Sequence, residues 1–221
     1  MSSDSFDSSE FSQRYFARFA SAYCRDRLGL DSTPPELEVL EAGTRAGLRL
    51  HKFKRSAELP RVRRVLGILK GLSPKSLLDV GSGKGTFLWP LLDALSGFPV
   101  TSIDKRADRV ADLQAVARGG VSRLSAVEAD LCALPFEDGA FDLVCALEVL
   151  EHIPDVHAAA AEALRVAKRC VLVSVPSKAD ENPEHIHLFN QASLSELLLG
   201  AGAARVSVEY VLGHMVAVAR K

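Results

Sequence analysis

The sequence predicts a doubly wound α/β fold with a mostly parallel, seven-stranded sheet, because short apolar segments alternate with amphipathic ones from Ser73 onward. The predicted strands span residues 75–80, 100–103, 124–129, 141–147, 170–175, 205–211 and 215–219. Only a few residues around Gly213 separate the last two strands, so no crossover helix fits between them. That short connection predicts an antiparallel hairpin at or near one edge of the sheet.

Helices are expected between the strands and ahead of the first one. Those in the sheet region are predicted over residues 87–95, 107–117, 155–167 and 191–199. Asp155 and Asn190 are suited to cap the last two helices, because their short polar side chains accept hydrogen bonds from free backbone N–H groups. Near the N-terminus, apolar residues recur at near-helical spacing from Phe11 to Tyr23, and Pro34-Pro35 can begin a second helix at Glu36. A third helix is expected over residues 59–72.

Three regions follow from these elements. Residues 1–10 are rich in serine and acidic residues and are expected to be disordered. Residues 11–72 form a helical extension, which we expect to cap a ligand cleft of the main domain. Residues 73–221 form that domain.

Composition limits the class of protein. The chain has 221 residues, 48% of them hydrophobic, and a formal net charge of −1, which gives no indication of a protein that coats nucleic acid. Its four cysteines lack the spacing of a metal site, and Cys145 and Cys170 lie in apolar segments typical of a reduced core. We expect neither a secretory signal nor a membrane span, because the first ten residues are acidic and polar and no apolar run approaches membrane-spanning length. We therefore expect a cytoplasmic protein.

Three alternating glycines follow the first predicted strand, in Leu78-Asp79-Val80-Gly81-Ser82-Gly83-Lys84-Gly85. Glycine permits positive φ and leaves no Cβ between the backbone and a ligand. The spacing departs from the dinucleotide fingerprint, because Thr86 stands where that pattern has its third glycine. It also departs from the phosphate-binding loop, which requires a serine or threonine at the place of Gly85. Asp79, directly ahead of the glycines, favours a cationic ligand over a phosphate.

Two further acidic residues follow neighbouring strands. Asp104 ends the second strand about 20 residues after the glycines, the distance expected of an acid that binds a ribose. Asp130 follows the third strand, where its carboxylate can accept a hydrogen bond from an exocyclic amine such as that of adenine. Together with the glycine loop, these acids fit a nucleoside without phosphates.

In this order and context, the motifs resemble the class I S-adenosylmethionine-dependent methyltransferases. The similar segments are residues 78–85, 103–104, 128–130, 134–136 and 141–144, within a resemblance that extends from about Leu72 to Lys221. The resemblance implies a Rossmann-like fold and S-adenosyl-L-methionine as cofactor. The implied cofactor contacts are Asp79, Gly81, Ser82, Gly83, Gly85, Asp104, Lys105, Asp130, Leu131 and Glu148.

A candidate metal site follows the fourth strand. Glu151 and His152 lie three and four residues after Glu148, so all three would share one face if the segment is helical. His187, or alternatively His185, comes from the loop after the fifth strand and can complete a site for Mg²⁺ or Mn²⁺. Ubiquinone-pathway O-methyltransferases and small-RNA terminal 2′-O-methyltransferases carry similar segments. The same Glu-x-Leu-Glu-His pattern also occurs without a metal, in which case His152 organises the pocket or acts as a base.

The basic stretch from Arg45 to Arg64 contains eight Lys and Arg residues. It can bind RNA phosphates or an anionic membrane surface, or it can be an ordinary solvated helix face. The leading hypothesis is methyl transfer to an oxygen of a small-molecule acceptor, with His152 as the first candidate for general base and His187 as the second. The alternatives are an RNA 2′-O-methyltransferase and a non-enzymatic, cofactor-binding regulatory protein. Thr86 and Asp79 disfavour a nicotinamide-dependent oxidoreductase.

Overall fold

The computed structural model describes residues 11, 13–55, 59–179 and 181–221. In this part of the chain, seven strands form one sheet in the order β3-β2-β1-β4-β5-β7-β6. They are β1 (Leu77–Val80), β2 (Val100–Asp104), β3 (Leu124–Glu128), β4 (Phe141–Leu147), β5 (Ala167–Pro176), β6 (Arg205–Val211) and β7 (His214–Arg220). The first five strands pair in parallel, and β7 pairs antiparallel with both β5 and β6. The predicted doubly wound fold with a C-terminal hairpin is confirmed.

Helices cover both faces of this sheet. They are α1 (Ala17–Leu28), α2 (Glu36–Arg45), α3 (Pro60–Leu72), α4 (Leu88–Ala94), α5 (Ala107–Arg118), α6 (Val156–Val166) and α7 (Gln191–Gly200). Short 3-10 helices span Leu50–Phe53 and Leu150–His152. The predicted caps are confirmed: the Asp155 side chain accepts from the Ala158 N–H, and Asn190 forms a capping box with Ser193.

Side chains along each strand point alternately to the two faces, so the sheet has a hydrophobic cluster on either side. Leu77 belongs to the cluster that contains α1, α4 and α5, whereas its neighbour Leu78 belongs to the cluster that contains α6 and α7. Burial of both faces explains why the parallel strands read as continuous apolar segments.

The N-terminal extension belongs to the first of these helical layers. Helix α1 lies so close to the end of α5 that a Cβ on Gly119 would be 1.8 Å from the carbonyl oxygen of Ala22. Arg118 makes a two-pronged ion pair with Asp26 at this contact. Helix α1 is therefore packed against α5, and the cavities described below are lined by no residue of α1 or α2. The predicted disordered tail, residues 1–10, lies outside the described residues.

Several residues of the basic stretch bind acidic groups of the main domain. Lys52 pairs with Asp112, Arg61 lies 3.7 Å from a Glu148 oxygen, and Arg64 makes a two-pronged pair with Glu209. These contacts connect the extension to the main domain. Among the described residues, no helix combines the length and apolar character needed to cross a membrane.

Candidate active site

The glycine loop leaves β1 in a conformation that favours glycine. Gly81, Gly83 and Gly85 all have positive φ, at 66°, 56° and 80°. A Cβ on Gly81 would lie 2.9 Å from a Val149 methyl carbon, and one on Gly85 would lie 2.0 Å from Trp89 Nε1. The loop therefore bends sharply, with Val149 and Trp89 packed against it. Gly81 and Gly83 line the space at the carboxyl end of β1.

That space is the main cleft, a cavity of about 610 Å³ at the carboxyl ends of β1 to β4. Ligands of α/β sheets usually bind in this position, and the volume lies in the range of small-molecule sites. The main cleft brings together seven of the predicted cofactor residues: Gly81, Gly83, Asp104, Lys105, Asp130, Leu131 and Glu148. Gly85 lines neither this cavity nor the smaller one beside it, and its role is close packing against Trp89.

Asp104 and Asp130 are held in place by local hydrogen bonds. The buried Asp104 carboxylate accepts from the backbone N–H of Arg106 at 3.0 Å and from the Arg109 guanidinium at 3.3 Å. Asp130 accepts from the Cys132 N–H at 2.8 Å. A carboxylate offers about four lone-pair sites, so both acids retain acceptor capacity toward the cleft that they line.

Asp79 faces a second cavity, the side pocket, with a volume of about 180 Å³. Its carboxylate is buried and accepts a 2.5 Å hydrogen bond from Ser82 Oγ, which itself lies against Ser102 Oγ. Burial raises the pKa of Asp79 to about 7, and the nearby Asp104 charge contributes in the same direction. The predicted residues Asp79 and Ser82 therefore line the side pocket, apart from the main cleft.

Glu148 lies in the wall between the two cavities and lines both. Its φ of 57° places it in the left-handed region, which is uncommon for a residue with a long side chain. The carboxylate accepts from Ser174 Oγ at 2.6 Å and lies 3.0 Å from His214 Nε2. These contacts turn the Glu148 side chain toward β5 and β7.

The structure does not bring together the four predicted metal ligands, Glu148, Glu151, His152 and His187. Ligand atoms of Glu151, His152 and His185 lie within 4.8 Å of one another instead. The shared helical face does not form, because only Leu150–His152 is helical and Glu148 has left-handed backbone angles. His187 is also directed elsewhere, with its Nε2 2.9 Å from the Ile153 carbonyl oxygen.

His152 lines the main cleft in a defined orientation. Its Nδ1 lies 2.9 Å from the carbonyl oxygen of Glu184. Since a carbonyl can only accept, Nδ1 carries the proton in the neutral ring and Nε2 keeps a lone pair. His187, the second predicted base, does not line the main cleft, whereas its neighbour Ile186 does.

Sequence reasoning did not find Arg61, Ser174 or His214, which surround Glu148. Ser174 had a usable signal, because it is the one hydroxyl in the apolar β5 segment Val171–Val175. Arg61 and His214 had no distinguishing local pattern, since one lies in a basic stretch and the other in a hairpin.

The fold and the main cleft define a doubly wound α/β protein with a ligand cavity at the carboxyl ends of its parallel strands. Residues 78–173 match the family described as a methyltransferase domain. The structure of an S-adenosylmethionine-dependent methyltransferase from Aquifex aeolicus aligns with a TM-score of 0.62 at 22% identity, covering 74% of this chain and 91% of that one. These comparisons show a match to a methyltransferase domain over residues 78–173 and a fold shared with that structure.

Curated relatives show weaker, partial similarity. Botryococcene C-methyltransferase from Botryococcus braunii is 28% identical over 159 residues, which cover 68% of this chain and 40% of that protein. Malonyl-[acyl-carrier protein] O-methyltransferase from Geobacter sulfurreducens is 30% identical over 149 residues, which cover 66% of this chain and 51% of that protein. The chain thus spans about half or less of the length of these relatives.

Proposed function

We propose that this chain binds S-adenosyl-L-methionine and transfers its methyl group to an oxygen of a small-molecule acceptor. The observation that carries the proposal is the main cleft, in which the glycine loop, Asp104 and Asp130 line one cavity of about 610 Å³. That volume suits a ligand of nucleoside size. The family match at residues 78–173 supports methyl transfer as the reaction class.

The residues of the main cleft fit the cofactor by their chemistry. The Asp104 carboxylate would accept hydrogen bonds from the ribose hydroxyls, and Asp130 would accept one from the adenine amine. Gly81 and Gly83 let the backbone approach the ligand closely. When bound, the cofactor would supply a methyl group on a sulfonium. The positive sulfur makes the neutral thioether a good leaving group.

Transfer to a hydroxyl requires removal of the acceptor's proton, and His152 is suited to take it. The Glu184 carbonyl orients the ring, so that Nε2 of the neutral imidazole is the basic atom. The position of His152 in the lining of the main cleft favours it over His187. One of the two curated relatives is named for carbon methylation and the other for oxygen methylation, so similarity does not choose between these acceptor atoms. The proposal of an oxygen acceptor is based on His152 as a general base.

The group of Glu151, His152 and His185 supports a second arrangement, in which the site holds a divalent cation. Mg²⁺ prefers oxygen ligands, so a set with two imidazoles suits Mn²⁺ or another softer divalent ion better. In this arrangement His152 would be a ligand, and the cation would lower the pKa of the acceptor hydroxyl in place of a base.

A small molecule is favoured over RNA because basic residues of the extension are engaged within the protein. Arg64 binds Glu209 and Lys52 binds Asp112, which lowers the positive charge available to a polyanion. A regulatory role without catalysis predicts cofactor binding but no turnover of any acceptor.

Calorimetric titration with S-adenosylhomocysteine tests the proposal. We expect binding at one site, and Asp104→Ala should weaken it by roughly tenfold or more through loss of hydrogen bonds to a charged group. Asp108→Ala is the matched control, because Asp108 is an exposed acid of the same segment that pairs with Arg106. Absence of binding to the folded protein would overturn the proposed function.

A further inference from the structure

Strand β6 (Arg205–Val211) forms one edge of the seven-stranded sheet, and in the described part of the chain it pairs only with β7. The backbone N–H and C=O groups on its outer side therefore face no other described strand. Such an edge is a template on which another chain can add a strand. The main cleft lies at the carboxyl ends of β1 to β4, and both β5 and β7 separate it from this edge.

The edge lacks the features that usually protect an exposed strand from pairing, which are lysine, proline and β-bulges. Strand β6 contains neither lysine nor proline, and its register with β7 shows no shift over seven residue pairs. Four of its residues are valine or tyrosine, which favour strand pairing, and Tyr210 is 62% exposed. The outer side of β6 is therefore well suited to accept a further strand.

The two charged residues of β6 are placed symmetrically about Ser207. Arg205 precedes Ser207 by two residues and Glu209 follows it by two, so all three side chains point to the same face. Antiparallel pairing with a second copy, about a two-fold axis at Ser207, would bring Arg205 of each copy opposite Glu209 of the other. Directly opposed side chains lie about 5 Å apart, and opposite charges there stabilise a sheet. The symmetric arrangement therefore contains the same ion pair twice.

Glu209 can take part in this ion pair while it keeps its present partner. Its two carboxylate oxygens accept from Nε and a terminal nitrogen of Arg64 at 2.5 and 2.8 Å. A carboxylate offers about four lone-pair sites, so capacity remains for a second guanidinium. The contact with Arg64, on α3, also restrains the Glu209 side chain before any partner arrives.

The opposite face of β6 carries apolar side chains that fit the same register. Val206 of one copy would oppose Val208 of the other, and the exposed Tyr210 would oppose the small Ala204. Both valines pack against the hydrophobic cluster that contains α6 and α7, so pairing would extend this cluster across the two-fold axis. A slip of one residue would instead place Arg205 opposite Tyr210 and lose both ion pairs.

We propose that two copies of this chain associate through their β6 strands, antiparallel and centred on Ser207, to form one continuous sheet. The charge complementarity of Arg205 and Glu209 identifies a second copy as the partner, since the sequence of the edge matches itself. Both main clefts stay open in this dimer because they lie on other strands. The inference is independent of the proposed function.

Sedimentation velocity of the full chain at increasing concentration tests the inference. A single strand pair buries less area than a standard interface, so the wild type should dimerise weakly, with a Kd of roughly 10 to 100 µM. Arg205→Glu and Glu209→Arg each replace two attractive pairs by two repulsive ones and should weaken association by roughly tenfold or more. An equimolar mixture of the two variants should form a heterodimer, because one chain then carries acids at both positions and the other carries bases.

Arg45→Glu is the matched control, the same charge reversal at the exposed end of α2, and it should leave the dimer unaltered. Circular dichroism checks that each variant is folded, and Arg205→Glu decides alone if Glu209→Arg is not, because it leaves Arg64 paired with Glu209. A wild type that stays monomeric well above this range would overturn the inference. So would a dimer that Arg205→Glu leaves intact, or folded variants that do not associate when mixed.

Discussion

Trp89 Nε1 lies 3.0 Å from the carbonyl oxygen of Lys84, so the helix after the glycine loop also fixes the loop itself. The same N–H lies 2.8 Å from the carbonyl oxygen of Lys52, in the N-terminal extension. One buried donor therefore links the extension, the glycine loop and α4. The geometry of the loop depends on residues that line neither cavity.

Trp89→Phe removes this donor while keeping an aromatic ring in the core. We expect the free energy of unfolding to fall by about 1 to 3 kcal/mol, because the substitution leaves two partly buried carbonyls without their donor and reduces ring volume. Affinity for S-adenosylhomocysteine should also fall, since the glycine loop loses a restraint. Urea unfolding and calorimetry measure the two effects.

Phe19→Leu is the control for this change, because the Phe19 ring stacks on Trp89 at 5.4 Å without contributing a hydrogen bond. It should destabilise the fold by a comparable amount and leave cofactor affinity nearly unchanged. Equal loss of affinity in both variants would mean that core packing, rather than the indole N–H, fixes the loop.

Asp79 should make stability depend on pH. Burial raises its pKa from the ordinary 3.8 to about 7 in the folded protein, so the folded state binds the proton more tightly than the unfolded state does. The carboxyl therefore reduces stability as pH rises from about 4 to 7, and its effect is constant above that range. Asp79→Asn should thus gain stability relative to the wild type by a few kcal/mol between pH 4 and 8, at about 1.4 kcal/mol per pKa unit.

Denaturant unfolding at several pH values measures this difference. Asp93→Asn is a suitable control, because the Asp93 side chain is half exposed. Its stability difference from the wild type should change little over the same range. A pH-independent difference for Asp79→Asn would contradict the raised pKa.

His152→Gln should reduce the rate of methyl transfer to a hydroxyl acceptor by roughly 10²- to 10⁴-fold, the usual contribution of a general base. Glutamine keeps a polar side chain in the cleft, so affinity for S-adenosylhomocysteine should change by less than about threefold. Screening hydroxyl compounds with labelled cofactor identifies an acceptor for the assay. Full activity in His152→Gln together with a large loss in His187→Gln would reverse the assignment of the base.

The cation arrangement makes a separate prediction. Protein treated with EDTA and then titrated with Mn²⁺ should bind one ion, and His185→Ala should weaken that binding by at least tenfold. His187→Ala should not, because His187 Nε2 is held at the Ile153 carbonyl. Methyl transfer that survives EDTA would exclude an essential cation and leave His152 as the base.

The fold and half of the site were predictable because they depend on local patterns. Strand β4 spans the predicted residues, and Asp155 and Asn190 cap helices as expected. Asp104 and Asp130 were predictable as neighbours, since the carboxyl ends of adjacent parallel strands meet at one edge of the sheet.

The rest of the site depends on contacts between distant segments. His214 reaches Glu148 because β7 is inserted beside β5, where His214 pairs with Pro176. Helical spacing predicted that Glu148 lies beside Glu151. Glu148 has a positive φ, so it is not helical and the prediction does not apply to it. A single sequence carries no signal for either effect, since both depend on tertiary packing.

The close approach of α1 to Gly119 has a practical consequence for dissecting this protein. A truncated version beginning at residue 73 would retain all seven described strands but would lose the apolar side chains of α1 and α3, which belong to one of the two hydrophobic clusters. Such a fragment would aggregate rather than reveal a minimal catalytic unit. Because the N-terminal helices contribute to this packing, transferring a loop from a relative should disturb the fold less than exchanging these helices. Loop transfer is therefore the better way to change substrate preference.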